Sequence, residues 1–227
     1  MELATGRATG AIWAAIEPIH ARIRDHPFLT GLTVGSLPHD AFGRYVAQDA
    51  LYMTEYARAL ALCGARAEDA DTLSMFCARA STAVAVERAL HGALVAELGL
   101  DPVEVAGAEM TPTCLAYTSF IKQACALGER SEAVASVLPC YWIYHEVGRE
   151  LVVRGSPDPV YARWLEAYAS DEFDEAVRGA LTAADLVALD LGPDGIAGMV
   201  RHALVAARYE WMFWDSAYRD ERWPTLA

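Results

Sequence analysis

Three reactive side chains in this sequence are set among aromatic residues, and each has a chemical reading beside a plainer one. Asp49 lies in Tyr45-Val46-Ala47-Gln48-Asp49-Ala50-Leu51-Tyr52-Met53-Thr54-Glu55-Tyr56, where Tyr45, Asp49, Tyr52 and Tyr56 follow at steps of four, three and four and share one helix face. An acid in a stripe of tyrosines fits a slot that hydrogen-bonds a flat, nitrogen-containing ligand. It also fits a half-buried packing face on which Asp49 pairs locally. Glu210 stands in Arg208-Tyr209-Glu210-Trp211-Met212-Phe213-Trp214, with Phe213 and Trp214 on its face. Pointing inward, its charged form is disfavoured and it becomes a general acid/base near neutrality; pointing outward, it is a rim acid paired with Arg208. Cys140 stands in Leu138-Pro139-Cys140-Tyr141-Trp142-Ile143-Tyr144. Pro139 must either open a helix or kink one. A helix opening there puts the thiol at the positive end of the dipole and favours the nucleophilic thiolate; otherwise an isolated Cys in an apolar helix packs as a small hydrophobe. Tyr144 shares its face one turn on, and Gly148, a further turn on, leaves room for a ligand or a neighbouring helix.

The elements that must carry these residues are helices. Apolar residues recur at three- and four-residue spacing almost throughout, and alternating strand-like runs are nearly absent. The spacing predicts helices over about Gly10 to Asp25, His39 to Ala67, Ala70 to Leu98, Thr113 to Leu127, Ser131 to Arg154, Pro159 to Ala169, Asp171 to Leu181 and Asp194 to Tyr218. The second and third are long enough to accommodate an internal kink. Two Gly and two Pro between His26 and Pro38 predict a loop there, and Asp101 to Pro112 predicts another. Short loops and the lack of a linker or repeat predict one all-α bundle domain over 1–227.

Composition narrows the partners. The net charge of −13, with 18 scattered basic residues, excludes nucleic acid and anionic membrane surfaces. The N-terminus lacks a secretory signal, and the longest apolar run is too short to span a bilayer, so the expected location is cytoplasmic. The five cysteines, Cys63, Cys77, Cys114, Cys125 and Cys140, are odd in number and form no C-x-x-C pair, which argues against a disulfide framework or zinc cage and leaves four of them as packing residues. Glu87 and His91 have ligand-like spacing but no partner E-x-x-H motif. Phosphate-loop, G-x-S-x-G and H-E-x-x-H motifs are absent.

Taken together, Trp13, His26-Pro27-Phe28, Gly31, Gly35, Leu37-Pro38, Phe42, Tyr45, Gln48-Asp49, Tyr117, Leu138-Pro139-Cys140-Tyr141-Trp142-x-Tyr144-x-Glu146-Val147-Gly148, Tyr161 to Tyr168, and Tyr209-Glu210 with Phe213-Trp214 resemble the TenA family, also called thiaminase II. The resemblance implies a helical bundle similar to haem oxygenase, assembled as a homotetramer. It implies hydrolysis of 4-amino-5-aminomethyl-2-methylpyrimidine to the hydroxymethyl pyrimidine, or cleavage of thiamin, with no metal or organic cofactor. By position it implies that Cys140 is a nucleophile adding to the pyrimidine ring and Glu210 the acid/base. Asp49 would hold the amino and nitrogen edge, Tyr52, Tyr117, Tyr144 and Tyr168 would shape the slot, and Phe213 would pack on the ring. Cys140 aligns the chain with the family's cysteine branch. Ala50, Leu115 and Ala169-Ser170 depart from relatives in ways that bear on substrate breadth. Two other functions share these features: a non-catalytic pyrimidine-binding or regulatory protein, and another enzyme on the same fold, such as a haem oxygenase with His20 or His26 as proximal ligand.

Overall fold

The computed structural model describes residues 6–224, apart from the side chains of 86–91, 104 and 106, so the Glu87 and His91 pair lies outside the described residues. Among the described residues ten helices follow in order: α1 (Arg7–Arg24), α2 (Pro27–Val34), α3 (His39–Ala65), α4 (Ala70–Glu97), α5 (Pro102–Ala106), α6 (Pro112–Leu127), α7 (Arg130–Val152), α8 (Pro159–Tyr168), α9 (Asp171–Val187) and α10 (Pro193–Tyr218). No strand occurs among the described residues, in agreement with the all-α expectation.

Two expected loops contain helices instead. Pro27 occupies the first turn of α2, where a missing N–H costs nothing, and His26 Nδ1 accepts the Phe28 N–H at 3.1 Å. Gly35 ends α2 at φ 73°, a conformation that a side chain disfavours. Asp101 and Pro102 start α5 by the same device. Proline and glycine here mark the two ends of a helix, where the composition of the segment had pointed to a loop. α3 and α4 run unbroken, and α9 continues to Val187 instead of stopping near Leu181.

α7 is the axis of the fold. Its central residues Ala133 to Pro139 and Tyr141 to His145 are all buried, as a helix that is apolar on every side requires. α3, α6, α8, α9 and α10 all pack against it. Pro139 lies inside α7, so the helix does not begin at Cys140. At the far end of the bundle, Asp185 of α9 accepts the backbone N–H groups of Gly6, Ala8 and Thr9 at 2.9, 3.0 and 3.1 Å, which caps α1 and ties it to α9.

Candidate active site

A cavity of about 330 Å³ opens beside the middle of α7 and is lined by Asp49 from α3, Cys140, Tyr141 and Tyr144 from α7, Tyr168 from α8, and Phe173 from α9, among others. Asp49 is 5% exposed, Tyr144 likewise, and Cys140 is only partly covered. The tyrosine stripe of α3 therefore turns inward, carrying Asp49 with it. Tyr144 O–H and Tyr45 O–H lie 3.1 Å apart, and the Tyr144 and Tyr168 rings meet at 4.9 Å.

The other four expected site residues do not line this cavity but form the adjoining layer. Glu210 of α10 is 1% exposed, and its Oε1 accepts a hydrogen bond from the Tyr117 hydroxyl of α6 at 2.5 Å. Tyr52 packs against Tyr117 at 5.0 Å and against Phe213 at 5.5 Å, with its hydroxyl buried beside Cys140. Phe213 thus braces Tyr52 and Tyr45 and is not exposed to the cavity. Glu210 thus points into the bundle and does not lie at a rim beside Arg208.

Charge in this layer is costly. Burial, with the Asp49 carboxylate adding to it, raises the Glu210 acid from 4.5 to about 8, although the Tyr117 hydrogen bond pulls the other way. Burial also pushes the Cys140 thiol well above its usual value, helped by the nearby Glu210 and Asp49 carboxylates and opposed by the Tyr52 and Tyr56 hydroxyls. The helix-dipole reading of Cys140 is thereby overturned. The thiol lies inside α7, well past its first turn and away from an unpaired N-terminal N–H, and burial favours its neutral form.

The wall formed by α8 and α9 was only partly foreseen. A Cβ on Gly148 would stand 2.8 Å from the Tyr168 backbone, so the room at Gly148 is taken by the end of α8, not by a ligand. Phe173 meets Tyr168 edge-on at 5.3 Å, and one residue later Asp174 Oδ1 lies 2.8 Å from His145 Nε2 of α7. His145 Nδ1 faces Glu146 at 3.1 Å. Nothing in the sequence marked Phe173, which sits in the first turn of an ordinary amphipathic helix. Tyr56 was visible as the last member of the α3 stripe; its hydroxyl donates to the Val137 carbonyl at 2.8 Å, in the turn before Cys140.

His20 and His26 are placed elsewhere. His20 packs against Trp13 at 5.5 Å and His26 caps α2, and neither lines the cavity. Among the described residues, no group of three or more His, Cys, Asp and Glu is placed to hold a metal ion, and no helix is long and apolar enough to cross a membrane.

The chain is similar to an aminopyrimidine aminohydrolase of Halalkalibacterium halodurans, with 34% identity over 215 residues that cover 94% of this chain and 96% of that protein. Its fold overlays a TenA homologue of P. horikoshii with a TM-score of 0.85 and 28% identity, over 94% of this chain and 99% of the other. A protein of Shewanella denitrificans with a haem oxygenase-like fold overlays with a TM-score of 0.72 at 14% identity, over 90% of this chain and 89% of the other, a likeness of fold alone. Residues 13–220 match the family described as TENA/THI-4/PQQC, a span that takes in Asp49, Cys140 and Glu210 alike. Matched in order over nearly its whole length, in sequence and in fold, the chain belongs to the TENA/THI-4/PQQC family.

Proposed function

We propose that this protein is an aminopyrimidine aminohydrolase that converts 4-amino-5-aminomethyl-2-methylpyrimidine to the hydroxymethyl pyrimidine, with thiamin as a second substrate. The observation that carries the reading is the meeting of Asp49, Cys140 and Glu210, from three helices, in and beside one aromatic cavity, with Glu210 held as a neutral acid. The similarity to a relative named aminopyrimidine aminohydrolase supports it.

An amine on a methylene attached to an aromatic ring departs poorly, because the ring electrons are tied up in aromaticity. Covalent addition frees them. Asp49 holds the amino and nitrogen edge of the ring between Tyr144 and Tyr168. The Cys140 sulfur bonds to a ring carbon, and its proton passes to a ring nitrogen. Adding S–H across the ring creates no net charge, which suits a site where burial disfavours the thiolate. The nitrogen lone pair then expels the amine, the C–N bond breaks, and the Glu210 proton leaves with it as ammonia. The Glu210 carboxylate so formed takes a proton from water as the hydroxyl bonds to the methylene. The C–S bond breaks, sulfur recovers its proton from the ring nitrogen, and aromaticity returns. Tyr117 orients Glu210 through its 2.5 Å hydrogen bond, and Tyr52 and Phe213 hold that layer in place. The reading takes 1–227 as one working domain, cytoplasmic and assembled as a homotetramer, with no metal or organic cofactor; the resemblance to the family supports the assembly and the cofactor-free chemistry.

The test is steady-state turnover of the aminomethyl pyrimidine beside thiamin by the purified protein. Release of ammonia with the hydroxymethyl pyrimidine is the expected result. Failure to turn over either substrate, with tight pyrimidine binding retained, would instead establish a binding protein.

His145 gives a narrower test of the cavity wall. His145→Leu is expected to raise KM about 10-fold, the equivalent of losing one hydrogen bond to a charged group, with kcat within about two-fold of wild type. His145→Gln, which keeps a donor toward Asp174, should recover most of that loss. Equal falls in kcat for both variants would mean that His145 does not act by positioning the α8–α9 wall.

A further inference from the structure

Away from the cavity, Cys63 near the end of α3 and Cys125 near the end of α6 bring their sulfur atoms to 3.5 Å, although 62 residues separate them in the chain. Neither was expected to do more than pack. Both are buried, at 5% and 0% exposure, and they differ in access. Cys63 lines a second cavity, of about 510 Å³, together with Phe76, Arg66 and Arg130, whereas Cys125 does not reach it.

The two thiols of the pair are held differently. The Arg66 guanidinium is anchored on the Cys125 and Gly128 carbonyls at 2.7 and 2.6 Å, which fixes a cation beside Cys125. Ser136 Oγ lies 3.7 Å from Cys125 Sγ. Hydrogen bonds from the Cys63 thiol and Ser136, with the Arg66 charge, hold the Cys125 thiol below its usual value. The contact with Cys125 and burial push the Cys63 thiol well above its usual value, so Cys125 is the sulfur of the pair that gives up its proton more readily, and once it has done so it is a base in contact with the Cys63 S–H.

We infer that Cys63 and Cys125 form a dithiol modification site, which a small hydroperoxide entering the second cavity converts to a disulfide joining α3 to α6. The Cys63 proton passes to the Cys125 sulfur, and the Cys63 thiolate attacks one peroxide oxygen. An S–O bond forms, the O–O bond breaks, and hydroxide leaves. Cys125 then attacks the Cys63 sulfenic acid: the S–S bond forms, the S–O bond breaks, and the departing hydroxide takes the Cys125 proton as water. Two thiol sulfurs are oxidised by two electrons and one peroxide is reduced. The bond ties together the helices that carry Asp49 and Tyr52 on one side and Tyr117 on the other, and it closes a long loop. Such closure raises the unfolding temperature. The inference does not depend on the pyrimidine reading.

The test uses the full chain with Cys77→Ser, because Cys77 is the exposed cysteine and would cross-link molecules. After hydrogen peroxide treatment, thiol blocking and non-reducing digestion, the expected result is a Cys63–Cys125 linked peptide that dithiothreitol reverses, with a Tm higher by roughly 10 °C. Adding Cys63→Ser should abolish both. Two free, alkylatable thiols after treatment, or a Cys63 carried on to the sulfinic acid with Cys125 still free, would overturn the inference.

Discussion

Cys140→Ser is expected to lower kcat on the aminomethyl pyrimidine by about 10³-fold or more, with KM changed only a few-fold. Loss of an attacking side chain removes an entire covalent route, and such losses are large and do not add to those of its partners. Binding should persist because Asp49, Tyr144 and Tyr168 line the cavity independently of the sulfur. The burial that raises the Cys140 thiol has its own signature. Alkylation of Cys140 by iodoacetamide at pH 7 should be far slower than that of the exposed Cys77, because little thiolate exists before the ring binds. A serine variant that keeps a tenth of the wild-type rate would remove the covalent step from the mechanism.

Glu210→Gln separates chemistry from stability. Without its proton donor the leaving amine departs unassisted, and kcat should fall by about 10²- to 10⁴-fold. In the wild type, kcat/KM should decline as pH rises through about 8, where Glu210 loses its proton. Stability should move the other way in the variant. The folded protein holds the Glu210 proton up to about pH 8, whereas the unfolded chain releases it near 4.5. Wild-type stability contributed at this position is therefore complete below pH 4.5 and is lost progressively as pH rises to about 8. Near pH 7.5 the cost approaches roughly 3–4 kcal/mol, an upper bound because the buried site relaxes. Glutamine keeps the shape and the acceptor for Tyr117 but does not titrate. The variant should thus unfold several degrees above wild type at pH 8 and at the same temperature near pH 4.5. Thermal melts at the two pH values, beside a rate profile, test both halves, and a pH-independent difference in Tm would show that Glu210 is not held neutral.

His145 and the α8–α9 wall belong to a different level of explanation. In that wall Gly148 and His145 of α7 meet Tyr168 of α8 and Asp174 of α9, contacts between separate helices that no spacing within one helix marks. By contrast, the α3 stripe and the Glu210, Phe213 and Trp214 face follow from helical periodicity and could be read without coordinates. So could the helices themselves, apart from α2 and α5, where proline and glycine mark helix ends within segments whose composition reads as loop.

By itself, then, the sequence determined that the chain is helical, which residues share a face, and which thiol and acids stand among aromatic rings. Those properties depend on neighbours within one or two turns. The tertiary structure alone decided that Glu210 faces inward with its acid pushed up to about 8, that Cys140 is a half-buried thiol inside α7 instead of a thiolate at a helix start, that Phe213 lies behind the cavity while Phe173 lines it, and that Cys63 meets Cys125. Each of these depends on solvent exclusion and on charges or atoms brought from other helices, and neither burial nor long-range contact is encoded in local spacing.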